Sequence, residues 1–315
     1  MTSRPFRFAT HVNSVGSRAE LVDRARAAEA RGFSTITVPD HFRPDDLAPL
    51  VAMSVMAEAT SSIQVGSNVF GNDYRHPVVL AKELATLDLL SEGRLQVGMG
   101  AGWLRSDYDL WGIPIDPPGT RVSRLAESLS ILKGLWSGEA FSFRGEHYTI
   151  DAPAGVARSL RQPHPPLLVG AGGRRMLELA AREADIIGIT FNQRVGEFDA
   201  VKIMSDAGNA DDGIHDRRIE WIRAAAGDRF DAIELAVFAL ITVTDQRDAA
   251  LAAAAAAQGV SAEWLADAPQ FSFGTIDEIV DDLQRKRERY GISYLMTPGE
   301  SFDAVTPLVE RLSGR

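Results

Sequence analysis

The chain has 315 residues, no cysteine and a formal net charge of −10. The missing cysteines exclude disulfides, thiolate metal sites and cysteine nucleophiles, and the acidic balance excludes a nucleic-acid partner, which would need a basic face. The N-terminal MTSRPFRFAT has no apolar signal core and no stretch is apolar enough to span a bilayer, so a cytoplasmic protein without a membrane partner is expected.

Residues 6–11 read as a first strand with His11 and Asn13 at its carboxyl end; they are two apart and point the same way if the chain stays extended. Ser17 and Glu20 form a capping-box pair. Leu21, Val22, Ala25 and Ala28 give the next helix its apolar face, and Gly32 ends it. A second strand over 33–38 runs into Pro39-Asp40-His41-Phe42. Residues 46–60 are apolar almost all round and predict a buried helix.

Residues 63–108 are the centre of the pattern. A β-branched run over 63–70 is followed by the turn cluster Gly71-Asn72-Asp73. Pro77 suits a first helical position, where its missing N–H costs nothing. Leu80, Leu84, Leu87 and Leu90 recur at helical spacing until Gly93, and a strand over 95–97 leads into Gly98, Gly100 and Gly102.

Further on, 119–136 predicts an amphipathic helix, and FSFRGEHYTI over 141–150 an excursion hairpin within 139–150. A strand at 167–169 meets Gly170-Ala171-Gly172-Gly173, which opens a helix. A strand follows over 184–190. Residues 191–213 have weak periodicity and read as a loop or lid. Then come a helix over 217–225, one long apolar strand over 233–244, helices over 247–259 and 274–290, a strand over 292–296 and a closing helix. About eight strand–helix alternations in one domain spanning 1–315 make an α/β (β/α)₈ TIM barrel the expected fold, with an open doubly wound sheet as the alternative. In a parallel barrel the carboxyl ends of the strands carry the active site.

The glycines of GMGAGW are not the dinucleotide fingerprint, because Trp103 takes the third glycine's place. They read either as a tight turn or as backbone brought against a flat ligand, with Trp103 lining the site. VGAGGRR lacks the Lys-Ser/Thr of a P-loop, but its backbone N–H groups at a helix start, beside Arg174 and Arg175, suit an anion. Arg75, His76 and Arg105 add positive charge to other carboxyl-end loops. Asp40 and His41 read as an acid–base pair or as separate fixtures, since adjacent side chains rarely meet one target. The six histidines are scattered without metal-ligand spacing, and no metal is expected.

VPDHF, IQVGSNVFGNDYRHP, LAKELATLDLLSEGRLQVGMGAGW, LWSGEAFSFRGEHYTI, PLLVGAGG and FGTIDEIVDDLQRKRERYGISYL together resemble the bacterial luciferase-like monooxygenase superfamily over nearly the whole chain. The branch most similar uses the 8-hydroxy-5-deazaflavin coenzyme F-420. The resemblance implies a luciferase-like barrel with the deazaflavin ring at the strands' carboxyl ends, a small-molecule substrate and a homodimer. It implies a non-prolyl cis peptide at Ser67-Asn68 behind the ring. Asp40 would touch the cofactor, as would Gly100, Ala101 and Gly102. The phosphate loop would be Gly170, Ala171, Gly172 and Gly173. His41 is the candidate for proton handling, with His11, Asn13, Trp103 and Arg105 on the substrate side. The sugar-phosphate dehydrogenase of that branch has a tryptophan where Asp45 stands, and its acid aligns with Ala101. The function expected is hydride transfer between coenzyme F-420 and a small organic substrate. The alternatives are an FMN-dependent monooxygenase and a non-catalytic flavin-binding barrel.

Overall fold

The computed structural model describes residues 4–193, 196, 197, 199–206, 209, 211 and 213–315. Eight strands alternate with eight principal helices. The strands are β1 (Arg7–His11), β2 (Thr35–Val38), β3 (Gln64–Ser67), β4 (Leu95–Gly100), β5 (Leu167–Ala171), β6 (Ile186–Ile189), β7 (Glu234–Phe238) and β8 (Ile292–Thr297). The helices that follow them in turn are α1 (Arg18–Ala30), α2 (Pro49–Ala59), α3 (Pro77–Leu90), α4 (Pro118–Trp136), α5 (Arg174–Glu183), α6 (Ile214–Ala226), α7 (Ile276–Tyr290) and α8 (Phe302–Leu312). Nearly every strand residue is buried, as parallel strands covered on both faces require. Among the described residues no helix is long and apolar enough to cross a membrane.

Internal contacts divide the chain into two units. One comprises Met1–His11, Ala30–Ser34 and Gly170–Arg315. In it β8 pairs in parallel with β1 and with β7, and β7 with β6. The expected long strand over 233–244 is instead two. Ala239 donates its N–H to Met296 O at 2.7 Å, while Leu240 donates to Gln270 O at 2.7 Å. The chain changes partner there, and Leu240–Val243 pairs with Phe271–Gly274. The alanine-rich helix Arg247–Gln258 covers this pair with Leu251 and Ala255, in an apolar cluster that includes Leu265, Phe271 and Phe273. Within the segment read as a loop over 191–213 lies a helix, Ala200–Ser205, whose cap is Asp199 accepting the Lys202 N–H at 3.0 Å. Residues 194, 195, 198, 207, 208, 210 and 212 of that segment lie outside the described residues.

The other unit comprises Val12–Glu29 and Thr35–Val169. Here β2, β3 and β4 pair in parallel, and β4 pairs with Leu167, Leu168 and Val169 of β5. Phe141–Arg144 and Thr149–Ala152 form an antiparallel hairpin. Two buried polar groups lock α3. Trp136 Nε1 donates to Ala81 O at 3.1 Å, and Asp88 accepts from Ser159 Oγ and the Arg161 N–H, both at 2.8 Å.

The third strand is also broken. Ser67 stays in register opposite Val38, the peptide Asn68-Val69 is cis, and pairing with β4 resumes at Phe70 and Gly71. The cis bond therefore lies one residue beyond the expected Ser67-Asn68, because Ser67 is still held by its strand. This break explains the glycines of β4. A Cβ on Gly98 would overlap the Ser67 carbonyl oxygen, and one on Gly100 would press on the Val69 side chain. The Gly98 conflict is with backbone, which cannot rotate away. Gly98→Ala should cost about 1–3 kcal/mol of stability, the range for an overpacked core, measured by chemical denaturation; an unchanged midpoint would remove this account of the glycine spacing.

Candidate active site

The functional side chains of the second unit start where β2 stops. Pro39 has no N–H to continue the ladder, and Asp40, His41 and Phe42 follow. Asp40 and His41 serve different targets. The Asp40 carboxylate, almost fully buried, receives the Arg75 guanidinium as a fork, Nη1 at 2.6 Å and Nη2 at 3.1 Å, and the Gly71 N–H at 3.0 Å. A bidentate pair of this kind fixes geometry as well as charge. Asp40 thus braces the turn after Phe70 and holds Arg75.

His41 turns to a residue that the sequence reading overlooked. Its Nδ1 lies 2.7 Å from Asp107 Oδ2. Asp107 is buried on the short helix Arg105–Trp111, and it also accepts from Tyr74 Oη at 3.3 Å and the Phe42 N–H at 3.4 Å. An ionised carboxylate can only accept, so the Nδ1 of the His41 ring is the donor of this bond. Burial, and then the Asp107 charge, push the Tyr74 phenol well above its ordinary range, so it stays a donor. Trp103 stands edge-on to His41 with ring centroids 6.1 Å apart. The signal for this helix was present: Leu104, Tyr108 and Trp111 recur at helical spacing.

Below this pair a second network fixes the loop after β4. Gly102 has φ +73°, and a Cβ there would overlap Tyr108 Oη. Tyr108 Oη donates to Asp73 at 2.9 Å. Arg124 binds Asp73 at 2.8 Å and also Asp116. Arg121 reaches the Gly102 carbonyl and Asp116 O. The glycines at 98, 100 and 102 thus have protein against the face where a side chain would stand, which is the tight-packing reading. Arg105 is exposed, and the side chains at 105 and 107 lie about 200° apart around a helix. It therefore does not share the Asp107 face. Asn13, half-buried, accepts the Leu47 N–H on its carbonyl.

In the first unit, His11 is buried against Phe238 with ring centroids 5.0 Å apart. Gly170, Ala171, Gly172 and Gly173 carry β5 into α5. A Cβ on Gly172 would overlap the Phe191 carbonyl oxygen. Gly173 is the N-cap, with no side chain bonded to the free N–H groups and no acid in the first turn. Arg174 is exposed and folds back on Glu178 at 2.7 Å, and Arg175 is exposed. Among the described residues no group of three His, Asp or Glu is placed to hold a metal ion.

The family model for luciferase-like monooxygenases matches residues 1–294. The chain belongs to that family. Its fold is accordingly the luciferase-like (β/α)₈ TIM barrel. The chain is 32% identical over 173 residues to an F-420-dependent glucose-6-phosphate dehydrogenase of Amycolatopsis mediterranei, a match covering 53% of this chain and 51% of that protein. The chain therefore spans about half the length of that relative. The F-420-dependent tetrahydromethanopterin reductase of Methanopyrus kandleri superposes with TM-score 0.75 at 17% identity, covering 98% of each chain. A riboflavin lyase solved with modified FMN and riboflavin gives TM-score 0.74 at 14% identity, covering 99% of this chain and 93% of that one. These structures share the fold.

Two buried histidines make a testable contribution to stability. Burial lowers His11 to about 4, opposed by a backbone hydrogen bond at Thr10. Burial, reinforced by Arg218, lowers His215 to about 4. Both folded-state values lie below the ordinary 6.5, so the unfolded chain takes up protons first as pH falls. Stability should be lost between about pH 6.5 and 4, with a slope of at most about 1.4 kcal/mol per pH unit for each histidine. Denaturation midpoints of the protein and of His215→Phe across that window check this: the variant should show the shallower slope, and equal slopes would contradict it.

Proposed function

We propose that this protein is an oxidoreductase that moves a hydride between coenzyme F-420 and a small organic substrate. The observation that carries the reading is the His41–Asp107 pair, a proton-exchanging imidazole fixed by a buried carboxylate at the end of β2. Its support from outside the chain is the F-420-dependent relative at 32% identity.

The residues present fit such a cofactor. The start of α5, with Gly172 pressed on backbone and no side chain capping the helix, is a cradle for a phosphate group. Ser67 Oγ and Asn72 Nδ2 are buried polar atoms with no hydrogen-bond partner in the protein, at the broken end of β3 where a ring's polar edge would find them. We assign ring contact to Ser67, Asn68 and the backbone of Gly100, Ala101 and Gly102. Phosphate binding goes to Gly170, Ala171, Gly172 and Gly173, while Asp40 holds the loop behind the ring. Bound there, the deazaflavin supplies a carbon that accepts or returns two electrons as hydride.

The chain's own part is proton traffic and position. An alcohol-type carbon that loses a hydride must also lose the hydroxyl proton to become a carbonyl. His41 Nε2 takes that proton, and in the reverse direction it returns it. Asp107 stabilises the imidazolium so formed, and Tyr74 and the Phe42 N–H keep Asp107 in place. Trp103 excludes water beside His41, and His11 and Asn13 belong to the substrate side. FMN is the second cofactor to weigh, because the riboflavin lyase of the same fold was solved with modified FMN.

A paired titration of the purified protein with F-420 and with FMN, followed by quenching of tryptophan fluorescence, tests the assignment. Selective binding of F-420 at micromolar concentration or below is the expected result. Selective FMN binding would overturn it and move the protein to oxygen-dependent chemistry.

A further inference from the structure

We infer that the Asn192 side chain completes the phosphate site at the start of α5 and that the buried Asn209 positions it. This rests on the reading of Gly170 to Gly173 as a phosphate cradle and supplies the side chain that the cradle itself lacks.

The first observation is what stands beside the N-cap. Gly173 has no side chain to offer, and no other side chain bonds the first N–H groups of α5. A Cβ on Gly173 would meet the Asn192 carboxamide first, Oδ1 at 3.5 Å and Nδ2 at 3.7 Å. The amide thus lies where a capping side chain would start. A carboxamide carries two N–H donors, and an anion seated on the helix N–H groups would accept from it as well.

The second observation is how Asn192 is held. Its N–H donates to Asn209 Oδ1 at 2.7 Å, and its carbonyl accepts from Asn209 Nδ2 at 2.9 Å. Asn209 is fully buried, and its other two bonds go to the Ile203 carbonyl at 2.7 Å and to Arg218 Nη2 at 2.6 Å. The two carbonyls can only accept, and the N–H and the guanidinium can only donate, so the Asn209 carboxamide has one orientation. Phe191 is fixed from its other side. Its ring centroid lies 6.1 Å from those of Trp264 and Phe271, and the Arg218 guanidinium lies 5.9 Å from it. The Phe191 carbonyl oxygen fills the space that a Cβ on Gly172 would need. Asn209 therefore acts on the cradle through one peptide: it clamps residue 192, and residue 191 presses on Gly172.

Affinity ratios test this without turnover. The protein is titrated with F-420 and with its phosphate-free 8-hydroxy-5-deazariboflavin, and in parallel with FMN and riboflavin, by quenching of tryptophan fluorescence. Each pair differs in the phosphate, and the FMN pair in nothing else. Asn192→Ala should cut the preference for the phosphorylated ligand about 10-fold, the size of a hydrogen bond to a charged group. Asn192→Asp should cut it further, by setting a carboxylate against the phosphate. Both variants keep the main-chain clamp and should keep the denaturation midpoint. Asn209→Ala, or the milder Asn209→Ser if the first does not fold, should lower the same preference while the phosphate-free ligand binds as before. A preference unmoved by Asn192→Asp, or an equal loss for both members of a pair in the Asn209 variant, would overturn the inference. Binding of the FMN pair alone would sink the F-420 reading, and the Asn192 ratio would still be read. If neither pair binds, inorganic phosphate followed by phosphorus-31 line broadening decides: weaker broadening with Asn192→Asp than with the unmodified protein supports the site, and equal broadening overturns it.

Discussion

One buried carboxylate ties three segments of the site together. Asp107 accepts from the His41 ring after β2, from Tyr74 in the turn after β3, and from the Phe42 backbone. A charge this deep is tolerated only when its lone pairs are matched, and here they are matched by donors from separate loops. Removing the carboxylate would therefore take away the acceptor at His41 Nδ1 and also uncouple Tyr74 from it. The Asp40–Arg75 fork does the same one residue earlier, and Gly71 is bonded to it. Adjacent residues thus serve different partners, Asp40 the Arg75 guanidinium and the Gly71 N–H, His41 the Asp107 carboxylate.

The charge economy of this region follows from the same arrangement. Several guanidinium groups are engaged by internal carboxylates and carbonyls: Arg75 by Asp40, Arg124 by Asp73 and Asp116, and Arg121 by the carbonyls of Gly102 and Asp116. The short helix Arg105–Trp111 leaves Arg105, Leu110 and Trp111 exposed.

Much of this was legible from the residues. The alternation of buried apolar runs with helical periodicity predicts the eight strands and helices, because parallel strands are buried on both faces. Pro77 at the start of α3 and the glycine step from β5 to α5 follow from local backbone chemistry. The pairing of Asp107 was not legible, because its partner lies 66 residues away and helical spacing does not single out one acid on a short helix. The glycines of GMGAGW favour a tight turn over a face for a flat ligand, and the Ser67 carbonyl packed against Gly98 gives the packing reason at that position. The break at Ala239 escaped for a similar reason: a change of strand partner leaves an apolar run unbroken.

The most direct test of the account is the proton on His41. Nitrogen-15 NMR of histidine-labelled protein in mildly alkaline buffer reads the tautomer of each neutral imidazole. His41→Gln identifies the signal, and Asp107→Asn replaces a carboxylate that can only accept with an amide that can also donate. The account predicts that His41 carries its hydrogen on Nδ1 in the unmodified protein and loses that preference in Asp107→Asn. A His41 protonated mainly on Nε2, or a tautomer unmoved by Asp107→Asn, would contradict it.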